Sequence, residues 1–199
     1  MHKPSGPALQ IIGTEDGVDK VAGMYILLTK RGPLFFADCT VNVNPDAEDL
    51  AKITALTAKS VQQFNIQPRI AMLSYSNFGS TKGAEPETVA KAVAILRKKY
   101  PGMIVDGEMQ ANFAFSQQLL QDNYPFSELI RDGANTLIFP NLSSGNIAYK
   151  LLQSLGAAEA IGPILLGLKK PVHILQLGSS VREIVNMVTI AVIDAQTKK

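Results

Sequence analysis

Four short stretches of this 199-residue sequence combine small polar residues, glycine and charge in a way that suits an anionic ligand. The first, residues 74–82, sets Ser74, Ser76, Asn77, Gly79 and Ser80 ahead of Lys82. Hydroxyls and free backbone N–H groups can hold anionic oxygens, and glycine lets the backbone approach them closely. The Gly-Lys-Ser/Thr ending of a Walker loop is absent, and a serine-capped turn is the competing reading. The second stretch is Asp106-Gly107-Glu108, two carboxylates that can serve as acid and base, cap a helix or face solvent. The third, residues 141–146, places Asn141 where it can cap a helix whose start would also suit an anion. The fourth runs through Gly178, Ser179 and Ser180 to Glu183. Ser180 and Glu183 have capping-box spacing, which gives Glu183 a structural task independent of catalysis.

Several chemistries are excluded or disfavoured. No Ser-His-Asp or Cys-His arrangement, Rossmann glycine fingerprint or kinase signature occurs. The two histidines, His2 and His173, are far apart, and Cys39 is the single cysteine. A zinc site is therefore not expected, an internal disulfide is impossible, and a reducing, cytoplasmic location is the simple reading. His173 lies in an apolar strand pattern and reads as a core or edge histidine. A formal charge of +2, with lysines scattered or in pairs, gives no footprint for nucleic acid or an anionic membrane. No apolar run is long enough to span a bilayer, and residues 1–7 lack a signal-peptide core. At 46% hydrophobic and 18% charged, the composition is globular and rather apolar.

The elements that must position these loops follow from periodicity. Apolar runs at 21–29 and 33–39, joined by Lys30-Arg31-Gly32, predict a β-hairpin, with 40–44 extending the second strand. Asn44 and Pro45 read as the cap and first position of a helix that runs to Phe64. Strands are predicted at 69–74, 103–105 and 136–139. Helices are predicted at 86–99, 111–121, 146–155 (with Ile147, Leu151 and Leu152 inward) and 181–195. Two further apolar runs cover 162–168 and 172–175. The alternation from Arg69 onward predicts an α/β fold: a mostly parallel sheet with helices on both faces, plus an N-terminal antiparallel β-hairpin. In such sheets ligands bind outside the carboxyl ends of the strands, where the candidate loops fall.

The segments 71–80, 105–110, 135–150, 156–168 and 171–187 resemble, in order, the phosphate acetyl/butyryltransferase (phosphotransacetylase) family. Leu137-Ile138-Phe139-Pro140 and Gly156-Ala157-Ala158-Glu159-Ala160-Ile161-Gly162-Pro163 carry the resemblance most specifically. Two details are similar to the domain that bacterial NADP-dependent malic enzymes carry behind their catalytic part: Ser76-Asn77-Phe78-Gly79-Ser80, and the run Ile164 to Leu168 followed by Lys170-Pro171-Val172-His173.

The resemblance implies an isocitrate/isopropylmalate dehydrogenase-like fold. Residues 1–199 would form one phosphotransacetylase-like domain, mainly the second subdomain and the C-terminal helix. It implies a regulatory, homodimerising unit that binds acetyl-coenzyme A, with ligand contacts from Ser74, Ser76, Asn77, Gly79, Ser80, Asp106, Glu108, Asn141, Gly178, Ser179 and Ser180. No resident cofactor or metal is implied in this domain. NADP and a divalent metal would belong to a malate-oxidising domain outside this chain. Transferases of the family are said to use a serine-arginine pair just before the last glycine and an aspartate shortly after it. Here Gln176, Leu177 and Glu183 stand in those places. Leucine offers neither charge nor a bidentate fork for phosphate, and losing such stabilisation raises a barrier by several kcal/mol. These three are therefore vestigial positions, and no catalytic residue is assigned. An active phosphate acetyl- or butyryltransferase is the alternative.

Overall fold

Ala22, Met24 and Ile26 enter one apolar core, whereas Tyr25 and Leu27 between them enter another. The same two-residue alternation divides Phe35 and Ala37 from Leu34 and Phe36, and Ile70 and Met72 from Ala71 and Leu73. Successive side chains of a strand point to opposite faces, so each of these strands is buried on both. The structure is a computed structural model that describes residues 11–175 and 178–197.

Strand β1 (Ala22–Thr29) turns through Lys30 and Arg31 into β2 (Gly32–Ala37), with Thr29 opposite Gly32. Strands β3 (Arg69–Leu73), β4 (Ile104–Met109), β5 (Thr136–Ile138) and β6 (Glu159–Leu166) complete a six-stranded sheet of order β4-β3-β5-β2-β1-β6. The pairs β3·β4, β3·β5 and β2·β5 are parallel, and β1 is antiparallel to both neighbours. The mostly parallel sheet with an antiparallel hairpin is as the sequence pattern requires.

Helices α1 (Ala47–Gln63) and α2 (Ala84–Lys99) cover the first core. Two short helices, α3 (Ala111–Ala114) and α4 (Gln117–Asn123), a 3-10 turn at Glu128–Ile130 and α5 (Leu142–Ser154) cover the second. Helix α6 (Val181–Thr197) follows β6 and sends Ile190 into the first core. Among the described residues, no helix is long and apolar enough to cross a membrane.

The structure corrects five local expectations. Residues 40–44 do not extend β2, because the buried Asp38 carboxylate gathers the N–H groups of Thr40, Val41 and Asn42 at 2.8, 3.0 and 2.9 Å. Helix α1 is capped by Asp46, not Asn44: its side chain accepts the Asp49 N–H at 2.8 Å. Asp106-Gly107-Glu108 is no loop but the middle of β4, paired with Ala71 and Met72. The helix expected over 111–121 is broken at Ser116, which caps α4 by accepting the Leu119 N–H at 3.2 Å. Helix α5 starts at Leu142 and turns Gly145 and Tyr149 inward, leaving Ile147 and Leu151 more than half exposed. Gly145 decides that rotation, since a β-carbon there would lie 2.6 Å from the Asp38 carbonyl oxygen. Tyr149, one turn later on the same side, stacks on Tyr25.

Candidate functional site

The structure distributes the sequence-selected residues over three places. In the first, the loop after β3 is fastened to β4. Oε1 of the buried Glu108 accepts the Ser76 hydroxyl at 2.9 Å and the Gly79 N–H at 2.6 Å, and its carbonyl accepts the Phe78 N–H at 2.8 Å. The Asn77 side chain accepts the Gln110 N–H at 2.8 Å, and Ser80 Oγ accepts the Asn77 N–H at 3.0 Å. Met72 faces Gly107 and Leu73 faces Met109, so Glu108 is the extra residue of a bulge in β4, which lets it turn toward this loop. Asp106, fully buried, accepts Arg97 Nη2 at 2.7 Å, the Gly107 N–H at 3.0 Å and the Glu128 N–H at 3.2 Å. Ser76, Gly79 and Glu108 thus hold one another, and Asp106 joins α2 to the 3-10 turn.

The second place is a crevice of about 220 Å3 lined by Asn44, Pro45, Glu85, Thr88, Pro140 and Asn141. It lies beyond β3 and β5, whose following helices α2 and α5 cover opposite faces of the sheet. Such a divergence is where open α/β sheets bind ligands. Ser74 reaches it by donating its hydroxyl to Glu85 at 3.1 Å. Asn141 caps α5 by accepting the Ser144 N–H at 3.0 Å.

The third is a hollow of about 160 Å3 between β6, α5 and the start of α6. Gly178, Ser179 and Glu183 supply a polar side, and Tyr25, Tyr149, Ile161 and Met187 an apolar one. The capping box is formed: Glu183 accepts the Ser180 N–H at 2.6 Å, and Ser180 Oγ accepts the Glu183 N–H at 3.2 Å. Hydrogen bonds from the Ser180 backbone and then its side chain hold the Glu183 carboxyl below its ordinary pKa. The Ser180 and Glu183 N–H groups are thereby satisfied within the box, and the Glu183 carboxylate complements the positive end of the helix. Gln176 and Leu177 lie outside the described residues.

A scan against family models matches residues 5–192 to the phosphate acetyl/butaryl transferase family. The chain belongs to that family. It is 44% identical over 189 residues to the phosphate acetyltransferase of Bacillus subtilis, covering 95% of this chain and 58% of that protein. It is 40% identical over 198 residues to the NADP-dependent malic enzyme of Escherichia coli, covering 99% of this chain and 26% of that protein. Among solved structures, the EutD phosphotransacetylase from Staphylococcus aureus superposes with a TM-score of 0.90 at 36% identity, covering 98% of this chain and 60% of that one. The chain thus spans less than two thirds of the transferases it matches and about a quarter of the malic enzyme.

Within this family member, two features escaped the reading of the sequence. Asp38 organises the end of β2 through four backbone N–H groups, Gly23 at 3.2 Å being the fourth. Its signal is an acidic residue closing an apolar strand with an asparagine four positions on, in Asp38-Cys39-Thr40-Val41-Asn42. The Tyr25–Tyr149 stack, with ring centroids 4.0 Å apart, joins residues too distant in sequence for any local signal. The side chain of His173 is 4% exposed, with Nε2 3.6 Å from Asp194 Oδ2, and so ties the segment before α6 to that helix. Burial, with the neighbouring Asp38 charge second, pushes the Cys39 thiol far above its ordinary pKa and keeps it unreactive.

Proposed function

We propose that this chain is the regulatory, acetyl-coenzyme-A-binding and homodimerising domain of a cytoplasmic malic enzyme, and that it carries out no acyl transfer itself. The observation that carries this reading is Leu177, preceded by Gln176, where transferases of the family are said to place an arginine and a serine. Leucine at that place in the sequence lacks the guanidinium fork that would grip phosphate. Glu183, at the position of the catalytic aspartate, is already engaged as a helix cap. The hollow beside it offers an apolar wall for an acyl group and a helix N-terminus for the thioester oxygen. The match to a quarter of a malic enzyme supports a parent chain with its own catalytic part. NADP and a divalent metal would bind there.

The test is to titrate acetyl-coenzyme A against malate oxidation by the full-length gene product. The rate should change, and acetyl phosphate should not form from acetyl-coenzyme A and phosphate. An unchanged rate would overturn the regulatory role. The second reading, an active phosphate acetyl- or butyryltransferase, is favoured by the 44% identity to such an enzyme. Acetyl phosphate formation that is lost in Glu183→Ala would establish it.

A further inference from the structure

We infer that the domain carries a second ligand site, an anion-binding crevice framed by Arg31 and Arg69, which takes a small organic molecule with a phosphate or carboxylate headgroup. The inference does not rest on the acyl-coenzyme-A reading. The crevice, of about 540 Å3, lies where β2, β3 and β5 begin. The loops after β3 and β5, which carry Ser76 and Asn141, lie at the opposite ends of those strands. Its size admits a small organic molecule.

Arg69 is the residue that points to a ligand. Lys20, Lys52 and Arg69 are the partly buried lysines and arginines among the described residues. Lys20 pairs with Asp49 at 2.8 Å and Lys52 with Asp19 at 2.6 Å, whereas Arg69 has no such partner among the described residues. Drawing a cation out of water costs free energy, and a nearby anion offsets it. Arg69 is also held in place. Its Nε donates to the Gly133 carbonyl at 2.8 Å, and its backbone N–H donates to Oδ1 of the buried Asn135 at 2.8 Å. A guanidinium fixed in this way keeps further N–H donors that match two oxygens of one headgroup.

Arg31 brings a second cation from the hairpin turn. Its Nη1 donates to the Phe115 carbonyl at 3.3 Å, and its guanidinium carbon lies 5.9 Å from the centre of the Phe115 ring. The two anchoring carbonyls belong to adjoining segments, because the Ala134 N–H donates to the Ala114 carbonyl at 3.1 Å. Both guanidiniums are therefore tethered at one joint. Asp132 is the one carboxylate in the lining; it is exposed and forms no ion pair among the described residues, so the lining keeps a net positive charge. Leu34, Ile66 and the Phe115 ring add apolar surface for the body of the ligand.

The experiment titrates phenyl phosphate and benzoate into the full-length gene product by calorimetry at low salt. At least one should bind saturably, and the tighter of the two names the headgroup. Arg31→Ala, on an exposed turn, and Arg69→Gln, of similar length without the charge, should each weaken binding at least about 10-fold. Asp132→Asn should tighten it about 2-fold by removing a carboxylate that competes with the ligand. Lys59→Ala, which removes a cation outside the crevice, should leave it unchanged. If Arg69→Gln does not fold, the Arg31 and Asp132 variants decide. Failure of both probes to bind, an unchanged dissociation constant in folded Arg31→Ala, or an equal loss in Lys59→Ala would overturn the site.

Discussion

The Glu108 carboxylate on β4 accepts the hydroxyl of Ser76, 32 residues earlier, at 2.9 Å. The Gly79 N–H reaches the same oxygen, so one buried acceptor closes the loop after β3. Glu108→Ala would strand two donors in a buried place, each costing about 1–3 kcal/mol. The expected loss is about 3 kcal/mol, read as a lower denaturant midpoint at unchanged m-value. Glu108→Gln keeps an oxygen for both donors and should lose only about 1 kcal/mol. Equal losses in the two variants would show that the charge, not the acceptor geometry, holds the loop.

Asp106 and Arg97 form an asymmetric pair: the carboxylate is fully buried while the guanidinium side chain is 48% exposed. Asp106→Ala also orphans the Gly107 and Glu128 N–H groups, and should destabilise by about 3 kcal/mol. Arg97→Ala removes a partner that is itself half exposed and leaves a carboxylate that water can reach through the vacated space, and should cost about 1–2 kcal/mol. Thermal unfolding of both variants and of the double variant gives the coupling. An Arg97→Ala loss as large as that of Asp106→Ala would mean that Asp106 is sealed from water.

Why some of this was legible in sequence and some was not follows from the range of the interactions. The hairpin, α2 and the capping box before α6 rest on neighbours within a few residues, and their patterns were readable. Residues 40–44 have a strand-like composition, yet Asp38 claims three of the N–H groups a sheet would need. The carboxylates of β4 were recognisable as candidates, but their engagement was not. That Glu108 meets Ser76 depends on the β3–β4 register and its bulge, which no single segment encodes. Gly178, Ser179 and Glu183 were chosen as a loop, but Tyr25 and Tyr149, which complete their hollow, come from other elements.

Helix α5 offers a direct test of which face is buried. Ile147 and Leu151 are 57% and 55% exposed, and Tyr149 between them is 2% exposed. Ile147→Ser should change stability by no more than about 0.5 kcal/mol, whereas Tyr149→Ala should cost about 3–5 kcal/mol. Urea unfolding at sub-micromolar concentration separates the two. Sedimentation of Ile147→Ser at higher concentration shows in addition whether this face joins two copies. A cost above about 2 kcal/mol for Ile147→Ser would contradict the rotation of the helix set by Gly145.

Glu183 gives the domain a pH signature. Its folded-state pKa lies below the ordinary 4.5 because the Ser180 backbone and side chain hydrogen-bond the ionised form. A group with a depressed folded pKa binds fewer protons in the folded than in the unfolded state around that pH. Its contribution is therefore complete above the unfolded pKa and is lost as pH falls through the folded value. The stability difference between the unmodified protein and Glu183→Gln should be constant near neutrality, shrink below about pH 4.5 and vanish in stronger acid. The carboxylate is almost wholly solvent-accessible, so the difference is small and should fall further in high salt. Melting temperatures of both proteins between pH 7 and pH 3 measure it. A difference that grows on acidification would place the Glu183 proton in a bond to the folded state, and would remove the capping box as the reason this carboxylate is unavailable for acyl transfer.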